Sequence, residues 1–361
     1  MQPDQRLRQI QQARQAVLSD GAPAAALADR AWVEQSWRRC LARGQRPEAE
    51  VQFNPVPRGA GRRAQEAHHG LLTAAAPELQ RLARTVAPIG YFALLTDAAG
   101  CVLDVAGAID AGDRHASAIA RVGVDLSEPG IGTSAIGAAL SEQRPVWLHR
   151  GEHFFEQTSV YSCAGAPLLG PTGECVGMID LTGIHAAERP ELQHLLARSA
   201  RAVEDALLRA SAHALCLRLA WPHAPSGEGA RALVCLDEGG TITGCNTPAR
   251  LMLPGLRALA HGPLHASDVF ALPWASLFDL ARQHAAALVP LCSGLHVQAR
   301  AHRSDSATQP LLKTLQAGLI QQTLRQSGGN VSEAARLLGV SRATLYRRLA
   351  GSRSAPPARD A

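Results

Sequence analysis

Lysine is nearly missing from this chain: Lys313 is the sole example, so 35 of the 36 cationic side chains are arginine. A P-loop needs a lysine on the β- and γ-phosphates of a nucleotide, and no Gly-x-x-x-x-Gly-Lys-Ser/Thr stretch exists here. Aromatic residues make up only 4%, which leaves Ala, Leu and Val to build the cores. The eight cysteines never fall as Cys-x-x-Cys and their spacing is irregular. That pattern excludes a zinc ribbon and fits reduced thiols of a cytoplasmic protein rather than a disulfide framework. No apolar run approaches the ~18 residues of a membrane span, and the Gln- and Arg-rich start does not read as a signal peptide. A soluble, cytoplasmic protein with no membrane partner, no metal and no cofactor is therefore expected.

With 361 residues and 46% hydrophobic content, the chain is long enough for two or three domains, because single cores stop growing at about 250–300 residues. The net charge of +5 is unevenly spread. Residues 307–361 carry eight Lys or Arg against two Asp or Glu, which leaves 28 against 29 in the first 306. The positive field sits at the C-terminal end, as a polyanionic partner requires.

That end reads as three helices. Leu312, Leu315, Leu319, Ile320 and Leu324 recur at helical spacing, and Gly328-Gly329 breaks the first helix. Asn330 can cap the second, with Glu333 reaching back to it, and Gly339 suits its left-handed end. Ser341 caps the third helix, in which Leu345 and Leu349 face inward. Ala343 and Arg347 then point outward between Thr344 and Tyr346, with Arg342 and Arg348 at the edges. Such a face can enter a major groove, where Arg reads guanine edges or holds phosphates.

The segment resembles the Fis-type helix-turn-helix that closes bacterial enhancer-binding regulators. The likeness rests on Gly329-Asn330, the run from Ala334 to Gly339, Arg342, Thr344-Leu345 and Arg347-Arg348-Leu349. It implies double-stranded DNA as the partner. Ser341, Arg342, Thr344, Arg347 and Arg348 are the implied contacts, and the first helix helps to pair two subunits. Ala343 stands where many relatives carry Asn.

Earlier in the chain, Trp32, Val33, Trp37 and Leu41 form the stripe of one helix, and a further helical region covers about 64–87. From Tyr91 the pattern becomes strand and turn: YFALLTDAAGCVLDVAG, then YSCAGAPLLGPTGECVGMIDLTG around Pro171-Thr172-Gly173, followed by a helix over about 189–210. This predicts an antiparallel sheet with flanking helices. The stretch resembles the GAF sensory domain of the regulators of acetoin and glycerol catabolism. It does so through Gly130, Gly132-Thr133, Ala135-Ile136-Gly137, Gly151-Glu152-His153-Phe154, Cys163, Ala166-Pro167, Gly173, Gly177, Asp180-Leu181 and Gly183. Ser134 replaces a usual Asn, and Cys163-Ala164-Gly165-Ala166 replaces Cys-Ser-Ala-Ala.

A sensor of this kind needs a concave, mostly apolar pocket with a few polar anchors. Trp147, His149, Glu152, His153, Phe154, Tyr161 and Cys163 lie on the strands and loops expected to line one. Two alternatives stay open: Glu152 and His153 serve a hydrogen-bonded loop instead, and Cys163 is simply a small buried residue.

LDEGGTITGCNTPAR resembles the start of a PAS-like domain. The expected layout has seven parts: an N-terminal helical region (1–85), the GAF domain (86–210), a linker (211–228), the PAS-like segment (229–302), a hinge (303–310), the helix-turn-helix (311–352) and a tail (353–361). The fold class is α+β multidomain: a GAF-type antiparallel sheet with flanking helices, a small PAS-like α+β segment and an all-α helix-turn-helix. Regulators of this resemblance usually hold an ATP-driven module between sensor and helix-turn-helix, which remodels sigma-54 polymerase. With Lys313 inside the DNA-binding bundle, no such module is expected here.

The resulting expectation is a non-enzymatic, sequence-specific DNA-binding regulator. It acts as a homodimer, with a small-molecule effector in the GAF domain. A rival reading is an accessory protein that associates with an ATPase-bearing relative. A third, a thiol-based methionine sulfoxide reductase, would need Cys101, Cys163 and Cys175 to cluster.

Overall fold

Two Asp-x-x-Gly turns show how local chemistry sets this fold. In one, Asp97 Oδ1 accepts the amides of Ala99 and Cys101, both at 2.9 Å, and Gly100 turns the chain at φ +88°. In the other, Asp237 Oδ1 accepts the amides of Gly239 and Thr241 at 2.9 and 2.8 Å, with Gly240 at φ +84°. Asp side chains that mimic a backbone turn, followed by a residue free to adopt positive φ, are the usual makings of a tight reversal. Each turn joins two neighbouring strands of a five-stranded antiparallel sheet in this computed structural model, which describes residues 3–304 apart from 25–26, 28–29, 52, 54–55, 58, 111, 223–231 and 284–285.

Four helices precede the first sheet: α1 (Pro3–Arg14), α2 (Ala31–Ala42), α3 (Ala60–Ala67) and α4 (His69–Val86). The strands β1 (Tyr91–Asp97) and β2 (Val102–Ala106) form the expected hairpin. Three short helices follow: α5 (Arg114–Ile119), α6 (Glu128–Ile131) and α7 (Ala135–Glu142). Then come β3 (Val146–His149), β4 (Tyr161–Leu169), β5 (Cys175–Ile184) and the long α8 (Leu192–Ala210). The strand order is β2-β1-β5-β4-β3.

Period-two alternation divides the first sheet between two cores. Ala93, Leu95, Ala166, Leu168, Ile179 and Leu181 turn to the face roofed by α4 and α8, where Leu79, Leu82, Leu196 and Val203 meet them. Phe92, Leu94, Tyr161 and Met178 turn to the other face, under α2 and α7. The stripe expected on α2 is buried at Trp32, Val33 and Trp37, with Leu41 at its margin. Gly165 lets α7 lie on the sheet: a Cβ there would meet the Ala135 carbonyl oxygen at 2.9 Å.

The second unit is smaller. Within 211–228, expected as a linker, Leu215–Ala220 forms a strand, β6. Its alternation is plain in hindsight, since Leu215, Leu217 and Leu219 are buried while Cys216, Arg218 and Ala220 are less so. It pairs with β7 (Ala232–Leu236), which pairs with β8 (Ile242–Cys245). α9 (Thr247–Met252) and α10 (Trp274–Gln283) follow, then β9 (Ala287–Pro290) and β10 (His296–Arg303), in the order β8-β7-β6-β10-β9. The two units meet along α8. Glu204 accepts the amides of Leu169 and Thr247, Asn246 donates to Asp205 at 2.8 Å, and the Cys245 amide donates to the Pro171 carbonyl at 2.8 Å. No helix of the described residues is long and apolar enough to cross a membrane.

Candidate functional site

Between the inner face of the first sheet and the helices that cover it lies a small cavity of about 20 Å³. Its wall is mostly apolar: Leu94, Ile119, Leu126, Ile131 and Ile136. The polar part comes from the strands. The register sets Cys163 opposite Thr182 and Leu94 opposite Asp180, so these side chains share one face.

Those groups form a directed chain. The Thr182 hydroxyl donates to Asp180 Oδ2, so its oxygen is left to accept from the Cys163 thiol at 3.3 Å. Burial pushes that thiol well above its usual range, which keeps the proton on sulfur. Burial also pushes the Asp180 carboxyl up to about 7, against the hydrogen bond from Thr182. Asp180 Oδ1 is buried and has no hydrogen-bond partner among the described residues.

His153 supplies the second polar point. Its Nδ1 lies 2.9 Å from the Arg150 carbonyl oxygen, which can only accept, so the ring carries its proton there. Burial pushes its pKa down to about 4. Nε2, also buried and without a partner among the described residues, therefore presents a lone pair. A buried polar group left unpaired costs about 1–3 kcal/mol, and two such atoms belong to residues lining this one cavity. Tyr161 closes the wall with its hydroxyl on the His115 carbonyl at 3.0 Å.

Of the seven residues expected from the sequence, His153, Tyr161 and Cys163 line this cavity. Trp147 lies outside it, under the Arg30 guanidinium at 4.2 Å and with its indole N–H on Glu188 at 3.2 Å. His149 is buried and shares a 2.7 Å hydrogen bond with Ser162. Phe154 belongs to the core, edge-on to Phe155 with ring centres 5.0 Å apart. Glu152 is fully buried, pairs with Arg6 and Arg30, and accepts the His149 amide at 2.8 Å.

This loop is held from the N-terminal helices. Arg14 donates to the carbonyl oxygens of Gly151, His153 and Phe154 at 2.9, 2.6 and 3.0 Å, and the Trp37 indole donates to that of Glu152 at 2.9 Å. Sequence reasoning did not find Arg6, Arg14 and Arg30 in this role. It also left out Ser134, Thr158, Asp180 and Thr182 of the cavity wall, although Asp180 stood among the residues of the resemblance. The expected DNA contacts Ser341, Arg342, Ala343, Thr344, Tyr346, Arg347 and Arg348 lie outside the described residues.

Comparison with known families bears on both ends of the chain. Residues 7–205, more than half of it, match the family model described as MimR, N-terminal domain. The chain belongs to that family. Residues 311–350 match the bacterial regulatory protein, Fis family. Members similar to it are transcription regulators. The acetoin catabolism regulatory protein of Cupriavidus necator is 33% identical over 270 residues, which covers 72% of this chain and 40% of that protein. The propane 2-monooxygenase operon transcriptional activator MimR of Mycolicibacterium smegmatis is 35% identical over 140 residues, 38% of this chain and 24% of that one. The chain thus spans less than half the length of these relatives. Among solved structures, the Escherichia coli DhaR(N)–DhaL complex is similar at 17% identity with a TM-score of 0.46, covering 75% of this chain and 98% of that one. The family, the mixed α+β architecture and the Fis-type segment agree with the expectations drawn from the residues.

Proposed function

We propose that this family member is a sequence-specific DNA-binding transcription regulator in which a small neutral molecule binds beside Asp180 and His153 by widening the small cavity there. The observation that carries the reading is the pair of unpartnered polar atoms in an otherwise apolar cavity, in a chain whose residues 311–350 match a Fis-family regulatory protein. His153 Nε2 asks for a hydroxyl or N–H donor, and Asp180 Oδ1 exchanges one further hydrogen bond. A charged effector would meet an apolar wall and lose its hydration, which is costly. Two relatives carry names from the catabolism of acetoin and propane, both small and neutral.

In this reading the chain works as a homodimer, because one recognition helix reads few base pairs and two of them about one turn (~34 Å) apart read a palindrome. With its single lysine in the Fis-matched segment, regulation by these residues works through ligand-dependent DNA affinity rather than ATP hydrolysis. A ligand shifts that affinity only by as much as it prefers one arrangement over the other.

The test is operator affinity of the purified chain with and without a panel of small alcohols, ketones and diols, alongside Asp180→Asn and His153→Phe. A shift for one class that both variants abolish supports the reading. DNA binding insensitive to every compound overturns the sensor role. Binding that appears only when an ATPase-bearing relative is added favours the accessory role instead.

A further inference from the structure

The outer face of the second sheet, partly covered by the end of α8, carries a basic cluster. Inward-pointing Leu215, Leu217 and Leu219 bury β6 in the core, so Cys216 and Arg218 point outward. Together with Arg209 at the end of α8, His213 just beyond it, and His302 and Arg303 of β10, they line a cavity of about 300 Å³. Among the described residues, every charged side chain in that wall is basic. The neighbouring carboxylate, Asp205, is engaged by Arg209 at 3.4 Å and by Asn246 at 2.8 Å.

Cys216 lies in this wall directly opposite Cys235 of β7. The hydrogen-bond phase of the strands fixes how close they come. The Asn246 amide donates to the Leu233 carbonyl at 3.1 Å, so Leu233 and Cys235 aim their peptide groups at the β8 side and away from β6. Cys216 and Cys235 are therefore a non-hydrogen-bonded pair, the kind in which Cα atoms approach to about 4.5 Å. A disulfide spans Cα separations of about 4.4–6.8 Å, so closure needs little backbone movement.

We propose that Cys216 and Cys235 are a peroxide-reactive dithiol that closes into a cross-strand disulfide at the wall of this basic cavity. The Cys235 thiol is buried, and its interaction with Cys216, together with Arg209 and Arg218, moves the Cys216 thiol below its ordinary range. The same interaction, with burial, moves Cys235 up. The two sulfurs thus have different tasks. The Cys216 thiolate attacks one oxygen of a hydroperoxide, the O–O bond breaks, and the departing oxygen leaves as water or an alcohol after taking a proton. Cys216 becomes a sulfenic acid. The Cys235 sulfur, losing its proton, then attacks the Cys216 sulfur, and hydroxide leaves as water. Two thiols lose two electrons, which the peroxide accepts. The bond would tie β6 to β7 beneath Leu208 of α8, which packs on Leu233 and Cys235. This inference is independent of the sensor reading.

The test uses the full chain treated with dilute hydrogen peroxide, blocked with N-ethylmaleimide, and cut before Asp237 so that Cys235 and Cys245 fall on separate peptides. The expected product is an intramolecular Cys216–Cys235 link that appears before Cys292, the exposed cysteine, is modified. Cys235→Ser should leave Cys216 as a sulfenic acid that dimedone traps, and Arg218→Gln should slow the reaction several-fold. Cys216 reacting no faster than Cys292, a link to any other cysteine, or only intermolecular disulfides would overturn the proposal, and the wild-type arm decides this even if a variant misfolds.

Discussion

Arg14 reaches from α1 to the carbonyl oxygen of His153 at 2.6 Å. The residue whose ring lines the cavity is thus held, through its backbone, by the N-terminal helix. Arg14→Ala would leave three loop carbonyls without their donor, and each buried unsatisfied group costs about 1–3 kcal/mol. Water entering the gap offsets part of that. The expected result is a net loss of about 1–3 kcal/mol in urea unfolding, and Arg14→Lys should recover little, since one ammonium cannot span three carbonyls in the planar geometry of a guanidinium.

Glu152 is the anchor of the same loop, with Arg6 and Arg30 both on its carboxylate. Removing one partner of a buried pair leaves an uncompensated charge and costs about 3–5 kcal/mol. Glu152→Ala leaves Arg6 with Glu188 alone and Arg30 with the Trp147 carbonyl, and should fall at the lower end of that range. Arg6→Ala should cost less, because Arg30 remains. Equal losses for the two variants in denaturant unfolding would contradict the shared-anchor arrangement.

Asp180 makes stability depend on pH with a definite sign. Its carboxyl titrates near 3.8 when free and near 7 when folded. The folded state therefore holds a proton that the unfolded chain has lost across that window. Stability from this group is full below about 4, declines as pH rises through the window at up to about 1.4 kcal/mol per unit, and levels off above 7. Asp180→Asn should remove the slope, matching wild type at pH 4 and exceeding it at pH 8. Parallel unfolding curves for the two proteins would rule out a buried carboxyl of this kind.

On the DNA side, Arg342→Ala should lose sequence discrimination, at a cost of about 1–3 kcal/mol on the specific site. Arg348→Ala should weaken all duplexes alike and flatten the dependence of affinity on salt. Titrations of operator and random duplex at several salt concentrations separate these outcomes, and identical behaviour of the two variants would count against the assigned roles.

What could be read from the residues follows the range of the interactions involved. The Asp97 and Asp237 turns are local, so both hairpins were visible, and the helix expected over about 189–210 appears as Leu192–Ala210. The strand β6 was missed because six residues beside a Pro- and Gly-containing stretch look like a connection, although Leu215, Leu217 and Leu219 alternate. The cavity was half legible. Tyr161 and Cys163 could be placed by strand parity, and His153 by its loop. Glu152 could not, because its partners lie more than 100 residues away on α1 and just before α2. Nothing in the spacing of Arg6, Arg14 and Arg30 announces that they converge on one loop. Asp180 was hidden differently: whether an acid on a strand is paired or left with a bare oxygen depends on the register with β4.

The way α8 is shared has a practical consequence for protein engineering. Its apolar stripe roofs the first sheet while Glu204 and Asp205, near its end, grip residues 246 and 247 of the second unit. A chimaera that borrows a foreign sensor by splicing just after Ala210 would import a helix with no match for Asn246 and Thr247. Sensor grafts onto this scaffold should therefore carry the helix and its receiving strand–helix corner together, as one cassette.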